Sequence, residues 1–523
     1  MESLWFATHP LPPRPDAPFH EGAVFDVVVA GAGLTGLTTA LLLARAGSRV
    51  AVLEARHVGA VTTGNTTAKV SLLQGRVLSE ITRHHPTDVA RAYLEANRAG
   101  QDWLLKFTAE QSIPHQRRDA WTYATTRRGR ARLELEYQTA HAVGLEVGWT
   151  DETELPFPVW GAITLPAQAQ LHPLEVLDAM LTELDALGVP VIEQARVVDV
   201  EVGSPVRVVT TQGSLAADRV VLATGTPILD RGGHFARLVP QRSYATSHRV
   251  PGGPAAIPRG MYLSVDDRTR SLRTVPLGKG ALDGDGALDE GGELLMVGGN
   301  GHVTGRRDDT SSAVDDLTRW TREHFEGAER IHAWSAQDYQ AVGRLPLVGP
   351  MAATGGRVLV ATGFNKWGMT NAVAAALNLT ARLSGEPLAW AATLDHLPIS
   401  PAGLSSAVVP NAEVAVELAK DWVRAELRPL PTDLPAEGAG AVGRGARGLP
   451  EAVSTVDGET CRVSGVCTHL GGVLRWNDAE RSWDCPLHGS RFAPDGAVLE
   501  GPAVRPLAAT ADHTPDPDAA VAD

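Results

Sequence analysis

Two cysteines and two histidines near the end of the chain have the residue types and spacing of a metal site. They occur as Cys467-x-His469 and Cys485-x-x-His488, with fifteen residues between the two pairs. Thiolates and imidazoles are common ligands of zinc and iron. A structural zinc site usually takes its cysteines from one pair and its histidines from another. Here each pair mixes the two types, which suits a two-iron cluster with thiolates on one iron and imidazoles on the other.

The residues around these pairs support the two-iron interpretation. The stretches "CTHLGG", "CPLHGSRF" and "GPAVRPL" closely resemble the cluster-binding loops of a Rieske 2Fe-2S domain. The resemblance implies that the cluster ligands are Cys467, His469, Cys485 and His488. Zinc at the same four residues remains the alternative. The third cysteine, Cys461, lies in a predicted strand, where it is interpreted as a small core residue.

The sequence departs from the respiratory type of Rieske domain in two respects. That type carries a disulfide between its two loops, and the corresponding positions here are Gly472 and Leu487. Phe492 has no hydroxyl to donate to the cluster, which leaves Ser490 as the candidate hydroxyl donor. Because fewer donors leave more negative charge on the sulfurs, we expect a reduction potential in the lower part of the Rieske range.

Glycines near the front of the chain predict a second site, for a dinucleotide. The apolar run 27–30 predicts a buried strand, and Gly31, Gly33 and Gly36 follow it with the spacing G-x-G-x-x-G. These glycines permit a tight turn, close approach of a pyrophosphate and packing of the next helix on the strand. A second predicted strand ends in Glu54, which is placed to accept the ribose hydroxyls.

The same glycine spacing occurs once more without that structural context. Gly438, Gly440 and Gly443 follow a proline-rich stretch in which no strand is predicted. We therefore interpret this second copy as linker, although the whole Pro/Gly-rich run 429–450 is either a linker or the opening strands of the following domain.

Two later stretches decide which dinucleotide is bound. Residues 219–227, "RVVLATGTP", and residues 357–385, "RVLVATGFNKWGMTNAVAAALNLTARLSG", each predict a strand, and the second continues into a helix. Over about residues 24–390 the chain resembles the D-amino-acid-oxidase-type FAD-dependent oxidoreductases. The resemblance implies that this last helix directs its N-terminal amides at the flavin and stabilises the charge added by reduction. Lys366, just ahead of the helix, either adds a full positive charge there or is a solvated loop lysine.

The resemblance also assigns residues to the cofactor and to the substrate. The positions that match FAD-binding residues of the family are Gly31, Gly33, Thr35, Gly36, Glu54, Thr66, Thr67, Lys69, Val197, Gly225, Gly363, Trp367, Gly368, Met369 and Thr370. The candidate catalytic residues are Arg273, Arg344 and Lys366, with Arg242, Tyr244 and His302 as further candidates. Guanidinium binds carboxylate in a bidentate fork, so each arginine is either a substrate clamp or an ordinary structural residue.

Together these motifs predict an α/β FAD-binding domain of the glutathione-reductase-like, DAO type, an α+β substrate domain and a small all-β Rieske domain. The FAD part is discontinuous in sequence. The predicted boundaries are an N-terminal extension 1–23, an oxidoreductase 24–390 (FAD part about 24–80, 165–235 and 340–390; substrate part about 81–164 and 236–339), a linker 391–435 with a helix 411–427, a Rieske domain 436–509 and a disordered acidic tail 510–523.

Composition excludes several classes of protein. The 523 residues carry a formal net charge of -14, which argues against a nucleic-acid partner. The sequence contains no run of about 18 apolar residues, so no membrane-spanning helix is expected. The N-terminus lacks a basic region and an apolar core, and three cysteines cannot form a disulfide framework, so we expect a cytoplasmic protein.

These features predict an enzyme that oxidises an amine or amino acid at its C–N bond by hydride transfer to FAD. Electrons would then pass singly to the cluster and to an external acceptor, which is oxygen, a quinone or a carrier protein. One alternative is an electron-transfer module without an organic substrate, and another is a structural protein with zinc. A third is a component related to Rieske oxygenases, which would need a mononuclear iron site. Its nearest candidate, "RHHPTD" at 83–88, is interpreted as a surface turn.

Overall fold

The computed structural model describes residues 1–12, 19–229, 233–277, 292–395, 414, 416–418, 420–431, 433–445 and 448–510. Its internal contacts divide the chain into two units. The first unit comprises Met1–His302 and Ser312–Pro410, and the second comprises Val303–Ser311 and Asn411–Asp523. The predicted disordered tail lies outside the described residues from 511 onward, as does much of the predicted linker.

Two helices of the first unit belong to the predicted FAD site. One follows the glycine motif, and the other lies near the end of the unit. Their bounds are α1 (Leu4–Thr8), α2 (Leu34–Arg45), α3 (Val77–Thr82), α4 (Thr87–Glu110), α5 (Arg127–Val143), α6 (Pro173–Ala186), α7 (Ser311–His324), α8 (Gly368–Leu383) and α9 (Ala389–Asp395). In the second unit, residues 420–427 are helical, within the predicted helix 411–427.

The strands form two sheets in the first unit and two small sheets in the second. Their bounds are β1 (Val24–Ala30), β2 (Val50–Leu53), β3 (Lys69–Val70), β4 (His115–Ala124), β5 (Gly148–Thr150), β6 (Gly161–Leu171), β7 (Val191–Ile192), β8 (Val197–Glu201), β9 (Val206–Thr210), β10 (Gly213–Leu222), β11 (Leu238–Arg249), β12 (Met261–Ser264), β13 (Arg270–Pro276), β14 (Glu293–Val303), β15 (Glu329–Ala341), β16 (Leu347–Pro350), β17 (Val358–Thr362), β18 (Gly440–Arg444), β19 (Pro450–Val456), β20 (Glu459–Ser464), β21 (Arg475–Asn477), β22 (Ser482–Asp484), β23 (Arg491–Phe492) and β24 (Val498–Glu500).

The first sheet is built around parallel strands, as the apolar runs in the sequence predict. Its order is β16-β17-β10-β1-β2-β7, and β1 pairs in parallel with both β2 and β10. Helix α2 follows β1 and is buried over most of its length. Because parallel strands end at the same edge, the turn after β1, the end of β2 and the end of β10 lie side by side, which is where this type of sheet binds ligands.

The second sheet of this unit is largely antiparallel, with the order β15-β11-β14-β13-β12-β4-β6-β3. Strands β11 and β15 pair along almost their whole length, from Leu238 opposite Ala341 to Arg249 opposite Glu329. The combination of this sheet with helices and with the parallel sheet confirms the predicted α/β and α+β parts.

The N-terminal residues are part of the core of the first unit. Leu4 and Trp5 in α1 have no exposed surface, and Glu2 forms a β-bridge with Ala333 of β15. Ser3 caps α1 by accepting a hydrogen bond from Phe6 N. The sequence-based boundaries treat residues 1–23 as an extension, because the few apolar residues of this segment form no recognisable pattern.

The second unit contains the small antiparallel sheets expected of an all-β domain. Their orders are β18-β19-β20 and β21-β22-β23-β24. Trp483 and Phe492 are fully buried in its core. Gly440 and Gly443 lie within β18, so of the two interpretations of the run 429–450 the structure has an opening strand here, and the interpretation of the second glycine copy as linker was wrong. The few apolar residues of this strand do not alternate over a run long enough to favour a strand from the sequence alone.

The second unit also includes Val303–Ser311, which the sequence-based boundaries place in the substrate part of the oxidoreductase. Thr310 of this segment donates from its backbone N–H to Asp478 Oδ1 at 2.8 Å, and its hydroxyl bonds to Asn477 Oδ1 at 2.6 Å. Such pairing between distant parts of the chain cannot be read from local patterns.

A buried carboxyl group makes the stability of the first unit depend on pH. Glu136 in α5 accepts hydrogen bonds from the N–H groups of Leu78 and Ser79 at the start of α3, and burial raises its pKa from 4.5 to about 7. Since the folded state holds this proton more tightly, its stabilisation is complete below pH 4.5 and is lost as the pH rises through about 7. The linkage amounts to about 3 kcal/mol.

We therefore expect Glu136→Gln to flatten the dependence of the melting temperature on pH between about 5 and 8. The matched control is Glu134→Gln on the same helix, which alters an exposed carboxylate that pairs with Arg130 at 3.0 Å. Thermal unfolding followed by far-UV circular dichroism measures the effect. An unchanged slope in the Glu136 variant would contradict the prediction.

Candidate cofactor sites

The glycine turn after β1 has no room for side chains. Gly31 has a φ of +105°, and a Cβ added to it would lie 2.4 Å from the carbonyl oxygen of Ala223. A Cβ on Gly36 would lie 1.8 Å from Gly31 O. Gly33 is the N-cap of α2 and has no side chain with which to cap it. Thr35, in the first turn, is buried. This cradle fits a pyrophosphate at the start of α2.

Glu54 lies at the end of β2, beside this turn. Its carboxylate accepts hydrogen bonds from Ala32 N at 2.8 Å and Arg56 N at 2.9 Å. Burial raises its pKa, and the two N–H groups oppose that shift. Val197, a predicted FAD-binding residue, begins β8, and Gly225, another, follows β10 with a φ of +76°. Their contacts with FAD stay predictions.

Residues 62–69 run from the glycine turn to the second sheet, and other parts of the chain hold them in place. The Thr66 carbonyl accepts from Trp5 Nε1 at 2.6 Å, and the Thr67 carbonyl accepts from Arg273 Nη1 at 2.7 Å. Lys69 Nζ donates to Tyr262 O and to a serine hydroxyl, both at 2.7 Å. The segment therefore has a fixed course along which its polar groups can meet a bound cofactor.

The chain immediately before α8 is strained. Asn365 and Lys366 have φ values of 51° and 68°, and two neighbouring non-glycine residues in this region cost about 1–3 kcal/mol each. The strain is maintained by hydrogen bonds: Asn365 Nδ2 donates to Arg344 O, Asn365 Oδ1 accepts from Ala341 N, and Lys366 N donates to Asp338. Such strain is typical of functional sites.

This strained turn brings Lys366 close to the start of α8. Lys366 Nζ donates to Ser243 Oγ at 2.7 Å, which joins the turn to β11. Lys366 is exposed to solvent, but desolvation by the surrounding protein lowers the pKa of its ammonium, and the carboxylate of Asp338 opposes that shift. Gly363 has a φ of +78°, and Trp367 is the N-cap of α8. The lysine is thus held by a hydrogen bond to β11 but is exposed, so the added charge at the flavin and the solvated loop lysine both stay open as interpretations.

A buried polar network that the sequence did not reveal holds the first turn of α8. Gln74 Nε2 donates to Asn97 Oδ1 at 3.0 Å and to Thr370 Oγ1 at 3.1 Å, and Tyr93 donates to Gln74 Oε1 at 2.6 Å. Asn97 Nδ2 in turn donates to Asn371 Oδ1 at 3.1 Å. These groups come from three separate segments, so no local signal could have indicated the network.

The three candidate arginines have different hydrogen-bond and ion-pair partners. Arg273 is buried, and its guanidinium donates to the carbonyls of Thr67 and Ala68 and lies 5.3 Å from the Trp5 ring. Arg344 pairs with a glutamate of α3 at 3.3 Å. Arg242 is buried beside Gln337 at 3.4 Å. The bonds of Arg273 give it a positioning role for residues 66–69, which competes with the carboxylate-clamp hypothesis.

Tyr244 and His302, the remaining candidates, form a pair across β11 and β14. The tyrosine hydroxyl lies 3.2 Å from His302 Nε2, and the rings stack with centroids 5.8 Å apart. Successive residues of a strand point to opposite faces, so Ser243, which binds Lys366, and Tyr244 leave β11 on opposite sides. The pair is therefore on a different face of this strand from Lys366.

The second unit brings the four predicted metal ligands together in two similar loops. Cys467 N donates to Gly472 O at 2.8 Å, and Cys485 N donates to Ser490 O at 2.8 Å. Both cysteines are buried, and the rings of His469 and His488 lie 5.2 Å apart at an interplanar angle of 86°. Each loop thus presents one thiol and one imidazole toward the other loop.

The geometry of these ligands fits a two-iron cluster better than zinc. Zinc requires four ligands around a single point. Here the two thiols are hydrogen-bonded to each other, and the two imidazole rings are in contact with each other. Two irons, one with both thiolates and the other with both imidazoles, suit such a pairing of like ligands. A hydrogen bond from the Cys485 thiol, with others from Ser490 and backbone N–H groups, lowers the pKa of Cys467 to about 7, which favours the thiolate ligand.

The position that a bridging cysteine would take is closed by packing. A Cβ on Gly472 would lie 2.8 Å from Leu487 Cγ and 2.9 Å from Cys485 Sγ. Ser490 is fully buried, and its hydroxyl accepts from Ala503 N at 3.1 Å while also bonding the Cys467 sulfur. The predicted hydroxyl donor is therefore next to a ligand sulfur.

The two sites define a class of protein, a flavin-dependent oxidoreductase that also carries a two-iron cluster. Residues 26–382 match the family described as FAD dependent oxidoreductase (DAO), and residues 432–511 match the Rieske 2Fe-2S domain. The protein YhfW of Bacillus subtilis (strain 168), described as a Rieske 2Fe-2S iron-sulfur protein, is 32% identical over 513 residues, with 97% of each chain covered. The chain therefore belongs to the DAO family of FAD-dependent oxidoreductases and ends in a Rieske domain. Its cofactors are FAD and a 2Fe-2S cluster.

Solved structures share the fold of the oxidoreductase part. Glycine oxidase from Geobacillus kaustophilus superimposes with a TM-score of 0.58 at 19% identity, covering 73% of this chain and 98% of that one. L-proline dehydrogenase from P. horikoshii gives a TM-score of 0.56 at 15% identity, covering 71% and 96%. At these identities the likeness concerns the fold. Among the described residues, no helix combines the length and apolar character needed to cross a membrane.

We expect the buried N-terminal segment to support FAD binding. Trp5→Phe removes the indole N–H that holds the Thr66 carbonyl and leaves that acceptor unsatisfied, which costs about 1–3 kcal/mol. We therefore expect FAD affinity to fall by about 5- to 150-fold, measured by the quenching of flavin fluorescence on rebinding. Trp160→Phe is the matched control, because Trp160 is 49% exposed. Equal affinities for the two variants would contradict the prediction.

Proposed function

We propose that this protein oxidises a small amine or amino acid at its C–N bond and passes the electrons singly through its Rieske cluster to an external acceptor. The observation that carries this proposal is the positive end of α8, reinforced by Lys366 on a strained turn. FAD, when bound, accepts the hydride of an amine carbon. A helix N-terminus and an ammonium at the flavin ring favour the negative charge that this transfer adds.

The residues of this chain supply position and charge. Lys366 is kept beside the start of α8 by its hydrogen bonds to Asp338 and Ser243. The preceding residue, Asn365, is held by two further hydrogen bonds of its side chain. The first turn of α8 is held by the buried polar network, whose members are Gln74, Tyr93, Asn97, Thr370 and Asn371. Because these groups are fixed before the substrate arrives, they add no reorganisation cost to the reaction.

The substrate class rests on the fold. Solved proteins that share this fold include a glycine oxidase, an L-proline dehydrogenase and an L-amino acid deaminase. The name of each refers to an amino acid substrate. Oxidation of an amine carbon removes one hydride, hence two electrons, and leaves an iminium ion, which releases a proton to solvent to become the imine. The cluster takes one electron at a time, so two transfers follow each turnover. The acceptor is oxygen, a quinone or a carrier protein, and three cysteines, too few for a disulfide framework, favour a cytoplasmic location.

An anaerobic panel of amines and amino acids tests the proposal. A true substrate should bleach the flavin absorbance and then generate the EPR signal of the reduced cluster. Lys366→Met should slow flavin bleaching about tenfold. The reason is that the reduced flavin loses one neighbouring positive charge, which costs about 1–2 kcal/mol. Lys106→Met, which removes an exposed lysine of α4, is the matched control. If no compound bleaches the flavin while dithionite reduces both centres, the electron-transfer module is the correct alternative.

A further inference from the structure

The first cluster loop, residues 467–472, is held by a residue from outside the Rieske domain. The carbonyl of Gly471 accepts a hydrogen bond from Trp422 Nε1 at 3.0 Å. Trp422 lies in the helical residues 420–427, ahead of the Rieske match at residues 432–511. An indole N–H that bonds a backbone carbonyl fixes the path of this loop, which contains two of the cluster ligands.

The second cluster loop, residues 485–489, is held in the same way by a different segment. The carbonyl of Pro486 accepts from Arg306 Nε at 3.1 Å. The backbone of Val303–Ser311 also packs tightly here, because a Cβ on Gly305 would lie 2.7 Å from Pro486 N. Gly305 has a φ of +72°, so a glycine suits both the conformation and the close approach.

Both donors belong to anchored segments. Arg475 of β21 bonds Glu417 at 2.8 Å and Asp421 at 2.7 Å, and both acids lie in the segment that carries Trp422. At the other segment, the Ser311 hydroxyl donates to Asp478 Oδ2 at 2.6 Å. The two donors are therefore fixed relative to the strands that bear the cluster loops.

The two loops have no covalent connection. Cys461, Cys467 and Cys485, the three cysteines of the chain, are free thiols. The contact between the loops at Gly472 is instead the packing of Leu487. Such packing resists separation of the loops, but it sets the direction of the ligands less strictly than hydrogen bonds do.

We propose that Trp422 and Arg306 are positioning residues that clamp the two cluster loops. Each holds one loop from outside the domain, at a carbonyl within four residues of a ligand cysteine. Trp422 acts by hydrogen bonding alone. Arg306 also brings a positive charge next to the Cys485 loop, and this charge stabilises the electron added on reduction and raises the reduction potential.

The full-length protein with both cofactors provides the test, with variants Trp422→Phe, Arg306→Ala, Arg306→Lys and the Phe/Ala double variant. Cluster loss in the presence of a chelator is followed by visible circular dichroism, and the reduction potential by EPR-monitored titration. We expect Trp422→Phe and Arg306→Ala each to speed cluster loss about threefold or more, as the loss of one hydrogen bond implies. Arg306→Ala should also lower the potential, and Arg306→Lys, which keeps the charge, should restore most of it.

Two controls separate clamping from general damage. Flavin content reports the folding of the first unit and should stay at the wild-type level in every variant. Arg307→Ala removes the same charge one residue further along the segment and should change neither quantity. Cluster loss within twofold of wild type in both single variants and in the double variant would overturn the proposal. A shift in potential as large for Arg307→Ala as for Arg306→Ala would overturn the specific role of Arg306.

Discussion

The Cys467→Ser variant should bind FAD and lack the iron–sulfur cluster. A serine hydroxyl does not ionise near neutral pH, so the iron that takes both thiolates loses one of its two protein ligands. We expect less than about a tenth of the wild-type iron and sulfide, and no EPR signal after reduction. The glycine turn predicted to bind FAD is untouched, so the flavin spectrum should persist. An amine that bleaches the flavin should then do so without any later signal from the cluster.

Cys461→Ser is the matched control for this prediction. Cys461 lies in β20, and burial raises the pKa of its thiol, which keeps it protonated and unreactive. The control should keep iron, sulfide and the EPR signal at wild-type levels. If the Cys467 variant retained the cluster signal, or if the Cys461 variant lost it, the ligand assignment would have to be abandoned. Zinc bound in the wild-type protein in place of iron would have the same consequence.

The second large effect is expected for Gly36→Ala, which should abolish FAD binding. The added methyl group would lie 1.8 Å from the Gly31 carbonyl oxygen, so α2 has to move away from the turn that it closes. Overpacking at such a site costs about 1–3 kcal/mol or more, and the movement also displaces the N–H groups that face the pyrophosphate. We expect FAD affinity to fall by at least about a hundredfold. The cluster should remain, because its ligands are far away in sequence and in a separate unit.

Gly47→Ala is the matched control for the glycine turn. Gly47 follows the same helix with a φ of +88°, and an added Cβ would have no heavy atom within 4 Å. Gly47→Ala therefore has the conformational cost of a side chain at positive φ. It has no steric clash comparable to that between the added Cβ and the Gly31 carbonyl oxygen in the Gly36→Ala variant. We expect a modest loss of stability and normal FAD affinity, measured by equilibrium dialysis and fluorescence. Normal flavin content in the Gly36 variant would show that the turn is not the FAD cradle.

Motifs of short range could be predicted well. The ligands Cys467 and His469 are two residues apart, and Cys485 and His488 are three apart, so each pair lies in a single loop wherever that loop is placed. The glycines of the predicted FAD-binding turn likewise lie within a short stretch of chain, made of one strand, one turn and one helix. For such motifs the chemistry depends on residue type and spacing, which the sequence states directly.

The residues around those motifs could not be predicted from sequence, because their roles depend on distant partners. Arg273 has the chemistry of a carboxylate clamp, yet in the folded chain it bonds the carbonyls of Thr67 and Ala68. Trp5 lies in a segment that has no recognisable pattern, yet it is buried against Thr66.

The sequence by itself determined the cofactors of this protein, FAD and a 2Fe-2S cluster, and the classes of the domains that bind them. Tertiary structure decided which residues hold the cofactor loops in place, from Asn365 and Lys366 at the start of α8 to Arg306 and Trp422 at the cluster. The physical reason is how far apart in the sequence the interacting groups lie. A turn or a ligand pair is formed by neighbours in the chain, whereas a buried hydrogen bond requires two groups that folding alone brings together.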